Sequence, residues 1–174
     1  MKLNVIIPVF NEKKTIVKLY KKVQRVKGYS KKIIIVDDGS TDGSKDIIKK
    51  KILSKNVNFF FHRKNRGKGA AIKTASKLLN GDIVIIQDAD LEYNPNDYHK
   101  LLRPFKNKKI KVVYGSRVLN KNRYSLKFSL ATNFRVFANY LLTTFSNFVN
   151  KQKLTDAHTC YKVFRINVFK TLNL

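Results

Sequence analysis

The chain has 174 residues, of which 37 are Lys or Arg and 11 are Asp or Glu, so its formal net charge at pH 7 is +26. The length fits one domain over residues 1–174, and the 43% share of hydrophobic residues excludes a globally disordered chain. One cysteine excludes an internal disulfide framework, and no apolar run reaches the ~18 residues of a membrane-spanning helix. We therefore expect a protein that is cytoplasmic or lies on a membrane surface.

Short apolar runs alternate with helical patterns along the first two thirds of the chain. Helices are predicted after an N-cap at Asn11, and also at residues 42–53, 67–79 and 94–102. This alternation predicts an α/β fold, with a mostly parallel sheet flanked by helices on both faces. In such sheets ligands bind beyond the carboxyl ends of the strands. The predicted strands are residues 3–9, 31–36, 56–61, 82–87 and 110–114.

The pattern changes after residue 116. Residues 125–149 predict one long helix that carries many aromatic side chains, with basic residues beside them. Two interpretations stay open for this helix. It is either an ordinary core helix or a helix that lies in a membrane interface, with its aromatic side chains toward the lipid. A further helix is predicted from near Arg165.

The strongest functional signal is a cluster of carboxylates in a chain that has few. Asp88, Asp90 and Glu92 directly follow the predicted strand 82–87. If the chain stays extended there, alternate residues share one side. Converging carboxylates repel each other unless a cation joins them, and their oxygens suit Mg²⁺ or Mn²⁺ together with substrate phosphates. A solvated acidic loop is the alternative, which the position at a strand's carboxyl end disfavours.

A second acidic pair follows the predicted strand 31–36. Asp37 and Asp38 could bind the hydroxyls of a ribose or the edge of a base. Gly39 and Ser40 fit a turn, and Asp42 fits a cap of the next helix. Plain turn chemistry explains residues 39–42 well but explains the acidic pair less well.

Weaker signals lie in three other segments. Gly67, Lys68 and Gly69 open a predicted helix and suit an anion, although the spacing matches neither a Walker A loop nor a dinucleotide fingerprint. Arg117 follows the last predicted strand, where it could bind a phosphate bidentately. In a compact polar segment, Asp156 could act as a base or as a clamp on an acceptor.

The remaining histidines and the cysteine are expected to be structural. His158 has no second histidine nearby and is interpreted as structural rather than as a metal ligand. His62 and His99 receive the same interpretation. Cys160 is expected to be a small buried residue.

Taken in order and spacing, these motifs resemble family 2 glycosyltransferases with the GT-A fold. The subgroup that they resemble most is the dolichyl-phosphate (polyprenyl-phosphate) mannose synthases and their bacterial relatives. Each motif is modest alone, and the ordered set is specific. The motifs that carry the resemblance are residues 7–12, 36–42, 65–70, 88–90, 115–117 and 155–162.

The resemblance implies a nucleotide pocket near the N-terminus. Pro8, Phe10 and Glu12 would line this pocket, and Val36 and Asp38 would surround the base and the ribose. These five residues are therefore predicted to bind the nucleotide part of a sugar donor.

The resemblance also implies a diphosphate and metal site. Asp88, Ala89 and Asp90 would meet the ribose, the diphosphate and the metal, with Lys68 nearby as a phosphate contact. Asp90 and Glu92 would be the ligands of Mg²⁺ or Mn²⁺. The predicted catalytic carboxylates are Asp88 and Asp90, together with Asp156 near the sugar or the acceptor.

The implied reaction transfers a hexose, mannose or glucose, with inversion. The donor would be a GDP or UDP sugar and the acceptor a polyprenyl phosphate at the cytoplasmic face of an anionic membrane, with Arg117 on a donor or acceptor phosphate. A bound divalent cation offsets the charge of the leaving nucleoside diphosphate. A phosphate acceptor is already anionic, whereas a sugar hydroxyl would need a base, for which Asp156 is the candidate.

Two expectations remain. Members of this family usually continue with another strand and further basic residues, so we expect the domain to be incomplete at its C-terminus and to turn over poorly. Two other functions also stay open, a family 2 transferase acting on a cell-surface glycan and a non-catalytic nucleic-acid-binding module. The nucleic-acid function conflicts with the cluster of carboxylates, because carboxylates repel phosphate unless a metal intervenes.

Overall fold

The structure is a computed structural model that describes residues 1–119 and 130–173. These residues form two compact units, Met1–Val113 with Val163–Leu174 and, separately, Tyr114–Lys162. The strands are β1 (Lys2–Val9), β2 (Ser30–Asp37), β3 (Val57–Phe61), β4 (Ile83–Ile86), β5 (Val112–Tyr114) and β6 (Lys162–Arg165). The helices are α1 (Ile16–Arg25), α2 (Ser44–Lys51), α3 (Lys68–Ser76), α4 (Tyr98–Leu102), α5 (Leu130–Asn150) and α6 (Ile166–Phe169), with 3₁₀ turns at Pro95–Asp97 and Arg103–Lys106.

The six strands form one sheet in the order β3-β2-β1-β4-β6-β5. Strand β1 pairs in parallel with β2 and with β4, and β2 pairs in parallel with β3. Strand β6 runs antiparallel to β4. The mostly parallel sheet predicted from the sequence is therefore confirmed. Strand β6 was missed because its four residues follow a polar segment and lead directly into α6.

The strands are apolar without interruption because both faces of the sheet are covered. On one face Ile6, Ile34 and Val84 form a cluster with Ala71 of α3 and Phe169 of α6. Their neighbours along the strands point to the opposite face and are equally buried, as a parallel sheet between two helical layers requires. The buried strand residues on that opposite face include Val5, Ile7, Ile33, Ile35 and Ile85.

The start of α1 differs from the prediction. The helix begins at Ile16, and Asn11 is not its N-cap. The backbone of Asn11 is left-handed, with φ of 57°, and its side-chain oxygen accepts a hydrogen bond from the N–H of Thr41 at 2.9 Å. The amide that was expected to cap a helix therefore joins the segment after β1 to the turn after β2.

The long helix predicted at residues 125–149 is present as α5 over Leu130–Asn150, and the first residues of the prediction lie outside the described part of the chain. The described aromatic side chains of α5 are exposed and not part of a core. Across residues 1–119 and 130–173, no helix combines the length and the apolar character needed to cross a bilayer.

The turn after β2 passes very close to the segment after β3. Gly39 has φ of 73°, and a Cβ built on it would lie 2.5 Å from the backbone carbon of Lys64 and 2.7 Å from the nitrogen of Asn65. Both the backbone conformation and the contact require glycine here. This close approach holds the carboxyl ends of β2 and β3 together.

We expect Gly39→Ala to lower the free energy of unfolding by about 2 kcal/mol or more, because the methyl group strains φ and meets backbone atoms. Urea denaturation measures the effect. Gly69→Ala is the matched control, because a Cβ at Gly69 in α3 meets open space, so that change should be neutral or slightly stabilising. Equal stability of the two variants would contradict the assigned contact.

Candidate functional site

A cleft of about 310 Å³ lies where β1, β2 and β4 end and α3 begins. This is the edge of a parallel sheet at which ligands bind. Several sequence-predicted residues line it together, namely Pro8, Phe10, Glu12, Asp38, Lys68, Asp88, Ala89 and Asp90. Val36 and Glu92 are not among the lining residues, and Val36 is buried in the cluster that faces α3.

The carboxylate of Asp38 has several hydrogen-bonding partners at the cleft. It accepts hydrogen bonds from the N–H of Arg66 at 3.1 Å and from the N–H of Gly67 at 2.8 Å. Its Oδ1 also lies 2.6 Å from Nδ1 of His62, whose Nε2 lies 2.9 Å from Oγ1 of Thr74. Asp38 is only 3% exposed, so these contacts fix the loop that leads into α3.

The turn after β2 also fixes the segment after β1. The hydroxyl of Ser44 accepts from the N–H of Glu12 at 2.8 Å, and Asp42 accepts from the N–H of Lys13 at 2.9 Å. Burial would raise the pKa of Asp42, but its hydrogen bonds to Ser44 and Lys13 outweigh burial and hold that pKa below its usual value. Asp42 also accepts a hydrogen bond from the N–H of Ser44, which follows the N-cap Gly43.

The segment after β1 also carries an exposed aromatic ring. Phe10 lines the cleft, and its side chain remains 45% exposed.

A buried side-chain amide fixes the segment that follows β4. The side chain of Gln87 accepts from the hydroxyl of Tyr98 at 3.0 Å and donates to the carbonyl of Asp88 at 3.0 Å. The carboxylate of Asp88 then meets Nζ of Lys68, from the start of α3, at 2.5 Å. The helix start and the strand exit are thus joined by an ion pair inside the cleft.

The chain does not stay extended after Asp88. It turns at Ala89 and Asp90, Leu91 has φ of 68°, and Oδ1 of Asp90 accepts from the N–H of Glu92 at 3.0 Å. The alternation expected to place three carboxylates on one side is therefore absent. Within the described ranges, no three His, Cys, Asp or Glu side chains lie close enough together to hold a metal by themselves.

In the second unit, two sequence-predicted residues bind each other. The guanidinium of Arg117 donates to Asp156 twice, from Nε at 2.8 Å and from Nη2 at 3.0 Å. Burial would raise the pKa of Asp156, but the hydrogen bonds and the charge of Arg117 outweigh it and hold this pKa below its usual value. Asp156 is therefore a stable anion and a weak base.

Residues 4–172 match the model of glycosyl transferase family 2. The chain belongs to this family. Among curated glycosyltransferase relatives, the dolichol-phosphate mannosyltransferase of Pyrococcus furiosus is 30% identical over 71% of this chain and 34% of that protein. The UDP-N-acetylglucosamine–dolichyl-phosphate N-acetylglucosaminyltransferase of Methanococcus voltae is 33% identical over 68% of this chain and 53% of that protein. The chain thus spans between a third and about half of the length of these relatives.

Solved glycosyltransferase structures share the fold. The glucosyl-3-phosphoglycerate synthase of Mycobacterium tuberculosis, solved with Mn²⁺, uridine diphosphate and glucosyl-3-phosphoglycerate, superposes with a TM-score of 0.71. That alignment covers 98% of this chain and 59% of the solved chain at 17% identity. The GT-A fold expected from the family resemblance is confirmed.

His62 has the structural kind of role that was expected of it, but the sequence did not show that its partner would be a residue of the cleft. Its position directly after a strand was the available signal, but a single histidine gave no sign of a partner 24 residues earlier in the chain. The structure places its imidazole in contact with the carboxylate of Asp38, which lines the cleft.

We expect His62→Ala to lower the free energy of unfolding by about 1–3 kcal/mol, because the buried carboxylate of Asp38 loses one of its partners. Urea denaturation tests this. His99→Ala is the matched control, since His99 is exposed and lies outside the cleft lining. A control as destabilised as the test variant would show that His62 has no special role.

The Arg117–Asp156 pair predicts a defined pH dependence. The folded pKa of Asp156 is depressed, so its stabilising contribution is complete above the unfolded pKa of about 4 and is lost as pH falls through the folded pKa. Asp156→Asn should therefore be less stable than the wild type at pH 7, and the gap should narrow below about pH 4. Denaturation at both pH values, with exposed Asp46→Asn as the control, measures it. A gap that is unchanged at low pH would contradict this assignment.

Proposed function

We propose that the chain carries the donor site of an inverting hexosyltransferase that moves mannose or glucose from a nucleotide diphosphate sugar to a polyprenyl phosphate. The observation that carries the proposal is the meeting of Asp88, Asp90 and Lys68 in one cleft of a family 2 glycosyltransferase. The relatives named for dolichol-phosphate and dolichyl-phosphate transfer support the class of acceptor.

The cleft offers a distinct group for each part of such a donor. The exposed ring of Phe10 is a flat surface on which a base can stack. The ammonium group of Lys68 and the N–H groups at the start of α3 suit a diphosphate. Asp38 holds that helix start in place through Arg66 and Gly67, and we assign it to the base and ribose end of the donor.

The carboxylates of the cleft fit a divalent cation that is shared with the donor. Mg²⁺ and related hard cations prefer oxygen ligands and are commonly held by one or two carboxylates plus substrate phosphates. Asp90, with Asp88 beside it, provides such a donor set, and Glu92 is a further proposed ligand. When bound, Mg²⁺ or Mn²⁺ would offset the negative charge that develops on the leaving nucleoside diphosphate.

The state of Asp156 favours a phosphate acceptor over a sugar hydroxyl. A hydroxyl must lose its proton to a base, and Asp156 has a lowered pKa and is bound by Arg117. A polyprenyl phosphate is already anionic. Its oxygen forms a bond to the anomeric carbon while the bond from that carbon to the diphosphate oxygen breaks on the opposite side, so no proton needs to move. We assign to Asp156 the role of holding Arg117, whose charge suits a phosphate.

A polyprenyl phosphate resides in a membrane, so the reaction takes place at a bilayer surface. We propose that the chain acts as a peripheral protein on the cytoplasmic face of an anionic membrane. Its net charge of +26 favours attachment to anionic lipid headgroups.

Calorimetric titration with GDP and with UDP, each with and without Mn²⁺, tests the donor site. We expect binding that requires Mn²⁺ and is lost in Asp90→Ala, because the cation joins the carboxylate to the diphosphate. The nucleotide that binds more tightly identifies the base. Asp97→Asn is the matched control, because this acid lies outside the cleft lining and should leave binding unchanged.

Two results would contradict the proposal. Binding that is equal with and without Mn²⁺ and insensitive to Asp90→Ala would remove the metal assignment. The absence of GDP and UDP binding under every condition would remove the donor-site assignment for this chain.

A further inference from the structure

Helix α5 exposes a continuous apolar stripe. Phe134, Phe137, Leu141, Phe145 and Phe148 follow one another at spacings of three and four residues, so they lie on one side of the helix. Each of them is between 46% and 84% exposed. Such a row of large apolar side chains is unusual on a free surface and marks a site of interaction.

The opposite side of α5 is polar and packs against its own unit. Thr143 is only 4% exposed, and its hydroxyl accepts from the N–H of Ala157 at 3.2 Å. The side chain of Asn147 accepts from the N–H of Leu154 and donates to its carbonyl, each at 2.8 Å. A helix of a water-soluble domain normally buries its apolar side and exposes its polar side. Helix α5 is oriented the other way, so a further apolar medium is required to cover it.

The charge around α5 specifies which medium that is. Residues 130–150 contain no Asp or Glu, and Lys151 and Lys153 follow the helix as exposed bases. Residues 114–162 contain eight Lys and Arg but a single acid, Asp156, which is already bound to Arg117. An apolar stripe with flanking bases matches the boundary between acyl chains and anionic headgroups.

We infer that α5 lies in the plane of an anionic membrane, with its apolar stripe among the acyl chains and Lys151 and Lys153 at the phosphates. With 21 residues, the helix is roughly 30 Å long and presents its whole stripe to the surface. The choice of a membrane as the occupant rests partly on the proposed function, because a lipid acceptor requires the chain to work there. Net charge attracts the chain to anionic headgroups, and the exposed apolar stripe of α5 adds a contact with the acyl chains.

The chain contains no tryptophan, so Phe145→Trp introduces a single fluorescent reporter on the stripe. We expect its emission to shift to shorter wavelength, and its quenching by acrylamide to fall, when vesicles of phosphatidylcholine and phosphatidylglycerol are added. Leu53→Trp is the matched control, because Leu53 is 81% exposed but lies outside α5, and its emission should not change. Equal shifts in the two variants, or none in Phe145→Trp, would overturn the inference.

Vesicle co-sedimentation separates the apolar and electrostatic contributions. The double variant Phe145→Gln/Phe148→Gln should weaken partitioning by at least about tenfold, since two exposed rings no longer enter the membrane. Lys151→Gln/Lys153→Gln should weaken it only when phosphatidylglycerol is present. A blue shift of Phe145→Trp that appears without vesicles and grows with protein concentration would instead identify a second copy of the chain as the occupant and overturn the inference.

Titration with GDP and UDP on the same variants distinguishes this inference from the proposed function. If the Phe145→Gln/Phe148→Gln variant binds nucleotide normally but no longer sediments with vesicles, the role of α5 is supported. If the wild type binds nucleotide but never sediments with vesicles, the role of α5 is overturned while the donor site stands. If the wild type sediments with vesicles but binds no nucleotide, the donor site fails while the role of α5 is supported.

Discussion

The cleft depends on one buried carboxylate. Asp38 leaves the end of β2 and gathers the N–H groups of Arg66 and Gly67 and the imidazole of His62 around its two oxygens. A buried charge is tolerated only when it is paired and hydrogen-bonded, so the loop before α3 has little freedom to move away. The start of α3, and with it Lys68, takes its position from this single group. The backbone of Gly39 also lies close to the backbone of this loop, at Lys64 and Asn65, and this contact further restricts the position of the loop.

The few acids in this chain include four near the sheet edge that have separate tasks. Asp38 organises a loop, Asp42 joins the turn after β2 to the segment after β1, and Asp88 pairs with Lys68. Asp90 lines the cleft and receives the N–H of Glu92. A chain with a net charge of +26 can therefore still build a cleft whose polar groups are largely carboxylates. Such a cleft suits a phosphate ligand only when a cation accompanies it, which is the basis of the proposed metal dependence.

The parts of the fold set by local patterns were predictable. The uninterrupted apolar strands predicted a sheet covered on both faces, and the strand ends predicted where the polar residues would meet. The sequence could not show contacts between distant residues. His62 and Asp38 are 24 residues apart, and Arg117 and Asp156 are 39 apart, so neither pair leaves a local pattern. The turn at Ala89 and Asp90 was missed because alternating carboxylates look the same in an extended chain and in a bend. The N-cap at Asn11 was wrong because tertiary hydrogen bonds compete with helix capping for the same amide.

The second unit enters and leaves the sheet at neighbouring strands. Residues 114–162 connect β5 to β6, which are adjacent in the strand order, and the N–H of Gly115 donates to the carbonyl of Tyr161 at 2.8 Å. A segment whose two ends are joined in this way can be lengthened, shortened or exchanged while the strands on either side keep their places. The residues that line the cleft all lie outside residues 114–162. Within such an architecture, residues 114–162 can diversify over evolutionary time while the strand ends that line the cleft stay the same.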